Sequence, residues 1–104
     1  MVFETSDSTF ARDVLECESP VVVDFWAPWC GPCSAVEPVL AELEHELRLT
    51  VAKLNVDENP LVAARYSVLS LPTAILFADG EAREVVIGAH KRPRYEQAWA
   101  DWLS

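Results

Sequence analysis

Two cysteines three positions apart, Cys30 and Cys33, are the residues of this chain best suited to chemistry. They stand in the run Phe25-Trp26-Ala27-Pro28-Trp29-Cys30-Gly31-Pro32-Cys33, directly after the β-branched stretch Val21-Val22-Val23. That order predicts a strand, a tight turn and the start of a helix. Positions i and i+3 of a helix share a face, so the two thiols can close a small disulfide ring and reopen it. The N-terminal end of a helix carries unpaired N–H groups and partial positive charge, both of which favour a thiolate. Cys30, at the exposed start, is therefore expected to be the low-pKa nucleophile. Cys33, one turn inside, is expected to be the shielded thiol that resolves a mixed disulfide. Two other readings of the pair stay open at this point, half of a zinc site and a purely structural bridge. Zinc wants four ligands, and the remaining candidates Cys17, His45 and His90 are not paired at ligand spacing. A bridge spanning four residues closes almost no loop entropy. The redox reading is favoured.

Asp24 is the second residue to explain. Val21 to Phe25 is apolar except at Asp24, the pattern of a strand buried on both faces. A buried Asp is rare unless paired, and burial raises its pKa by disfavouring the charged form. Either Asp24 pairs with a base or reaches solvent, or it is a buried acid behind the cysteines, placed to move protons. Lys53 lies inside the next buried strand and needs a negative partner, for which Asp24 is the natural candidate if the strands are neighbours. Cys17, between Glu16 and Glu18, is expected to be a poor nucleophile and incidental. Glu37, Glu42, Glu44, His45 and Glu46 are expected on the outer face of the helix that starts at Cys30, where His45 reads as a solvated surface histidine.

The elements that must position these residues follow from periodicity and punctuation. Val2-Phe3-Glu4 is expected to form a short edge strand, and Asp7 or Ser8 to cap a first helix through Leu15. After the strand that carries Asp24, a long helix is predicted from Cys30 to about Leu47. Val36, Val39, Leu40, Leu43 and Leu47 recur there at helical spacing, and Pro38 should kink it. Thr50 to Val56 forms the next strand, then Asn59 as cap and Pro60 at the first helical position open a short helix through Tyr66. Ala74 to Phe77 and Val85 to Ile87 form an antiparallel pair joined at Asp79-Gly80. Tyr95, Ala98, Trp99, Trp102 and Leu103 mark a final amphipathic helix. The order βαβαβαββα implies an α/β fold, a mixed sheet of about five strands with four helices on its two faces. Cysteines at the end of a central strand fit the rule that sites lie beyond the carboxyl ends of strands.

With 104 residues the chain is expected to be one domain over 1–104, and its 51% hydrophobic content and four Trp are globular values. No apolar run approaches the roughly 20 residues of a membrane span. The start Met1-Val2-Phe3-Glu4-Thr5-Ser6-Asp7 lacks the basic and apolar regions of a signal peptide, so a cytoplasmic setting is expected, where a Cys pair is more plausibly catalytic than structural. The net charge of −9 argues against nucleic-acid binding. Lys91-Arg92-Pro93-Arg94 is the one basic cluster and reads as a solvated helix entry.

The run Trp29-Cys30-Gly31-Pro32-Cys33 resembles the thioredoxin family, and the likeness extends over essentially the whole chain. Val23-Asp24-Phe25-Trp26-Ala27, Pro38, Val51 to Asp57, Leu71-Pro72-Thr73, Asp79-Gly80 and Gly88-Ala89 all fall at family spacing. The resemblance implies the thioredoxin fold and a general protein-disulfide reductase. Cys30 would attack a substrate disulfide and Cys33 would resolve it. Asp24 would accept the proton of Cys33 through water, with Lys53 modulating its charge. Pro72 would be cis, and Trp29, Gly31, Pro32, Leu71, Pro72, Gly88 and Ala89 would form the docking surface. The resemblance also implies a monomer that binds no cofactor or metal beyond the redox-active disulfide. It would be recycled by a flavin-containing, NADPH-dependent thioredoxin reductase and would act on disulfide-containing target proteins; the alternative is a redox-independent scaffold with the same fold. Gly31-Pro32 between the cysteines is similar to the reducing members, since no His⁺ stands there to stabilise the thiolate. Ser34 departs from the lysine that many members carry after the second cysteine, and Leu71 replaces the commoner Ile.

Overall fold

Strand alternation along the central sheet sorts the core into two layers. The computed structural model describes residues 2–103. Val21–Trp26 (β2) is the middle strand of a five-stranded sheet completed by Phe3–Glu4 (β1), Thr50–Asn55 (β3), Thr73–Ala78 (β4) and Glu81–Ile87 (β5), in the spatial order β1-β3-β2-β4-β5. β3 runs parallel to both β1 and β2, whereas β4 is antiparallel to β2 and β5 to β4. The fold is the mixed α/β arrangement expected.

Successive side chains of a strand point to opposite faces. Val22, Val51, Ala74, Leu76 and Val86 accordingly pack on one side, with Val36, Leu40 and Leu43 of helix α1 (Cys33–Leu47) and Tyr95 and Trp99 of helix α3 (Arg92–Trp99). Val21, Val23, Phe25, Ala52, Leu54, Ile75 and Phe77 pack on the other. There they meet Phe10 and Val14, around a helical turn at Ala11–Leu15, and Val62 and Ala63 of helix α2 (Pro60–Arg65). A 3₁₀ turn at Ala100–Trp102 ends the described chain's regular structure. Asp24 alternates with Val23 and Phe25 and so shares the face of Val22, the one covered by α1 and α3.

The structure corrects several boundaries and caps. The long helix begins at Cys33 and not at Cys30. Gly31 and Pro32 instead form i→i+3 turns, with Ser34 N–H on Gly31 O and Ala35 N–H on Pro32 O. The first helical element is a five-residue π-helix, and neither Asp7 nor Ser8 caps it. Asp7 acts elsewhere: its carboxylate accepts the N–H groups of Leu61 (3.0 Å) and Val62 (2.9 Å) at the start of α2. Asn59 occupies the cap position of α2 without capping it, because its side-chain oxygen accepts the N–H of Asp7 at 2.9 Å. A carboxylate brought from the N-terminal segment thus satisfies amides that a local residue was expected to serve. β5 is longer than Val85 to Ile87, since Asp79 and Gly80 (φ 54° and 77°) make the tight reversal that lets pairing begin at Glu81. Arg92 is not a solvated residue of the helix entry: it pairs with Glu42 and Glu46 of α1 and Glu96 of α3, tying the two helices together.

Candidate active site

Trp26 ends β2, and the chain turns back through Ala27-Pro28-Trp29 so that Cys30 N–H reaches Ala27 O at 3.1 Å. This turn delivers Cys30 to the N-terminal end of α1, where Cys33 is the first helical residue. Cys30 and Cys33 form a disulfide with their Cα atoms 5.4 Å apart. The expected contrast in exposure is small: Cys30 is 8% exposed and Cys33 6%. Both sulfurs belong to a local apolar cluster with Ala27, bordered by Trp26, Val56 and Leu71.

Behind the disulfide lies a cavity of about 130 Å³, with Asp24, Trp26, Cys30, Cys33, Ser34 and Glu37 in its wall. Asp24 is 1% exposed, and its Oδ1 has no hydrogen-bond partner. Burial pushes its carboxyl up to about 7; the positive charge of Lys53 opposes the rise and the negative charge of Glu37 adds to it. Lys53 is in register with Asp24 on the neighbouring strand, yet it does not form the ion pair expected with it. Its ammonium lies 3.0 Å from Glu37 on α1 and 4.5 Å from the centre of the Trp26 ring. The physical reason is solvation. Glu37 is half exposed, so an ion pair there keeps water, whereas a pair with Asp24 would require two desolvated charges. The indole face adds a cation–π contact along the way.

The loop opposite the cysteines is built by three elements. The Leu71–Pro72 peptide is cis, and Leu71 packs against the cysteine cluster. Gly88 N–H donates to Pro72 O at 2.8 Å, which joins the end of β5 to that loop. Gly88 itself has φ of +91°, a backbone state that L side chains rarely adopt. Tyr95 of α3 donates its hydroxyl to Gly88 O and accepts the N–H of His90, both at 3.3 Å. On the other rim, Trp29 is 70% exposed, and its indole N–H is held by the two carboxylate oxygens of Asp57 at 3.0 and 3.2 Å. Gly31, Pro32 and Ala89 are exposed, and the Ser34 hydroxyl donates to Gly31 O at 2.8 Å. Among the described residues no cluster of His, Cys, Asp and Glu could hold a metal ion, and Cys17 is a free, partly exposed thiol.

A disulfide at a helix start, a buried acid behind it and a backbone-lined loop across from it form a site for dithiol–disulfide exchange. The family model described as Thioredoxin matches residues 1–101. This chain belongs to the thioredoxin family. It is 48% identical over 88 residues to "Thioredoxin 1" of Nostoc sp., covering 83% of this chain and 82% of the relative. It is 40% identical over 106 residues to the thioredoxin of Rickettsia felis, covering 100% and 97%. The thioredoxin of Mycobacterium tuberculosis is 52% identical over 88 residues, covering 83% and 76%. Thioredoxins are protein-disulfide oxidoreductases, and in this member Cys30 and Cys33 are the exchanging pair of a dithiol electron carrier.

Three residues of this thioredoxin site escaped the sequence reading. Asp57 stands in the polar run Asp57-Glu58-Asn59-Pro60, and nothing local links it to the indole of Trp29. Glu37 was assigned to the outer face of α1, although its position four residues after Cys33 places it one turn along the same face. Tyr95 is expected only as a marker of the last amphipathic helix, and its hydroxyl gives it the second task of holding the Gly88 turn.

Proposed function

We propose that this thioredoxin reduces protein disulfides through Cys30 as nucleophile, Cys33 as resolving thiol and Asp24 as proton acceptor. The observation that carries the reading is the unpartnered carboxyl of Asp24 in one cavity with both sulfurs. The Cys30 thiolate attacks one sulfur of the target disulfide; that S–S bond breaks, and the other target sulfur leaves with the electron pair and takes up a proton. Cys33 then gives its proton to Asp24 and attacks the Cys30 sulfur. The Cys30–Cys33 bond forms and the second target thiolate leaves, so two electrons pass from the pair to the target. The cavity is large enough for water between Asp24 and Cys33. A carboxyl pushed up to about 7 can accept and release a proton near neutrality, while Lys53 acts on it only at a distance.

Trp29, Gly31, Pro32, Leu71, Pro72, Gly88 and Ala89 are the docking surface in this reading. The extended backbone of a target would lie between the turn at Trp29 and the Leu71–Pro72 loop. The protein works as a monomer without a bound cofactor, is recycled by a flavin-containing, NADPH-dependent thioredoxin reductase, and acts in the cytoplasm. No helix of the described residues is long and apolar enough to cross a membrane. The test is reduction of a model protein disulfide with NADPH and thioredoxin reductase. Turnover by the wild type and none by Cys30→Ser is expected; equal turnover by the variant would remove Cys30 from the mechanism.

A further inference from the structure

We propose that Glu37 is a positioning residue for proton transfer, which holds the Lys53 ammonium away from Asp24 and so keeps the buried carboxyl free to carry the proton of Cys33. The inference rests on the role given to Asp24 above. Three observations on separate elements support it. Glu37 shares the cavity wall with Asp24 and Cys33, so it faces the acid and is not merely part of the outer surface of α1. Its Oε1 lies 3.0 Å from Lys53 Nζ, although Lys53 is the direct strand neighbour of Asp24. Asp24 Oδ1 meanwhile remains buried without a partner.

The chemistry follows from where the lysine can go. Lys53 is flexible and mostly covered, and it has two carboxylates available on this face, one on α1 and one on β2. A buried ammonium–carboxylate pair with Asp24 would hold that carboxyl ionised, and an acid fixed in one charge state cannot shuttle protons. Glu37, at the solvent side, takes the ammonium at lower desolvation cost. The Trp26 ring, 4.5 Å from the ammonium, supports that placement. The charged and titratable groups facing Asp24 are Lys53 on β3, Glu37 and Cys33 on α1, Cys30 in the preceding turn and Tyr95 on α3, whose own hydroxyl burial and the nearby Asp24 charge shift upward.

The test uses the oxidised protein, in which neither cysteine titrates, so the carboxyl of Asp24 can be followed alone by carbon NMR across pH. Glu37→Gln should lower the Asp24 midpoint by roughly 0.5–1 pH unit, because the freed lysine turns toward it and one negative charge is lost. Lys53→Met should move the midpoint the opposite way. A midpoint in Glu37→Gln that is unchanged or higher overturns the inference. The pH profile of turnover separates the two levels of the argument. The acid limb should move down in Glu37→Gln, and the same substitution should have no effect on an Asp24→Asn background. A shift that persists without Asp24 contradicts the role of Glu37. An Asp24→Asn profile identical to the wild type would instead defeat the proton-acceptor role of Asp24 itself.

Discussion

Replacing Asp24 by Asn should stabilise the oxidised protein, and the gain should depend on pH in a way that burial alone dictates. The carboxyl titrates at 3.8 in an unperturbed chain and at about 7 in the fold. Between those values the folded protein holds a proton that the unfolded chain has already released. The folded state then binds more protons, so stability falls as pH rises through this window and is lowest above about 7. At about 1.4 kcal/mol per pKa unit, the loss approaches roughly 4 kcal/mol, a large share of a typical domain's total. Asn has the same shape without the titration, so Asp24→Asn lacks that slope. Urea unfolding of both oxidised proteins from pH 4 to pH 8.5 gives the difference directly. The variant's advantage should be small near pH 4 and grow to a few kcal/mol by pH 8. An advantage that is constant with pH, or a wild type that gains on the variant as pH rises, would refute the assignment of a buried, partnerless carboxyl.

Asp7→Ala should cost about 1–2 kcal/mol, because two amides at the start of α2 lose their acceptor, while turnover stays unchanged; thermal melts and the reductase-coupled assay check both halves. Gly88→Ala should raise KM for a protein disulfide more than it lowers kcat. The φ of +91° is unfavourable for Ala whatever the space around its Cβ, and relieving that strain would displace the turn whose N–H holds the Pro72 carbonyl.

Most of the fold was legible because its signals are local. The Val21–Phe25 run, the helical spacing after Cys33 and the Asp79-Gly80 reversal each state their own structure, and their order leaves few topologies open. The two cysteines were legible as a pair for the same reason, since three residues separate them. What the sequence did not reveal depends on partners far apart in the chain. Asp7 serves α2 from 54 and 55 residues away, and the indole of Trp29 finds Asp57 at a separation of 28. Lys53 is the instructive failure. Strand pairing correctly put it beside Asp24, but adjacency does not decide an ion pair when a better solvated carboxylate is within reach of a long side chain. The start of the long helix was misplaced by three residues because periodicity marks a helical face and does not mark the first helical residue. The turns at Gly31 and Pro32 fill the interval.

The central claim is that Cys30 bonds to the target and Cys33 releases it. Its most direct test is to mix reduced Cys33→Ser protein with a disulfide-containing protein and map any covalent adduct by non-reducing electrophoresis and mass spectrometry. A persistent mixed disulfide on Cys30 is expected, absent from Cys30→Ser and discharged by added dithiol. No adduct, or an adduct carried by Cys17, would contradict it.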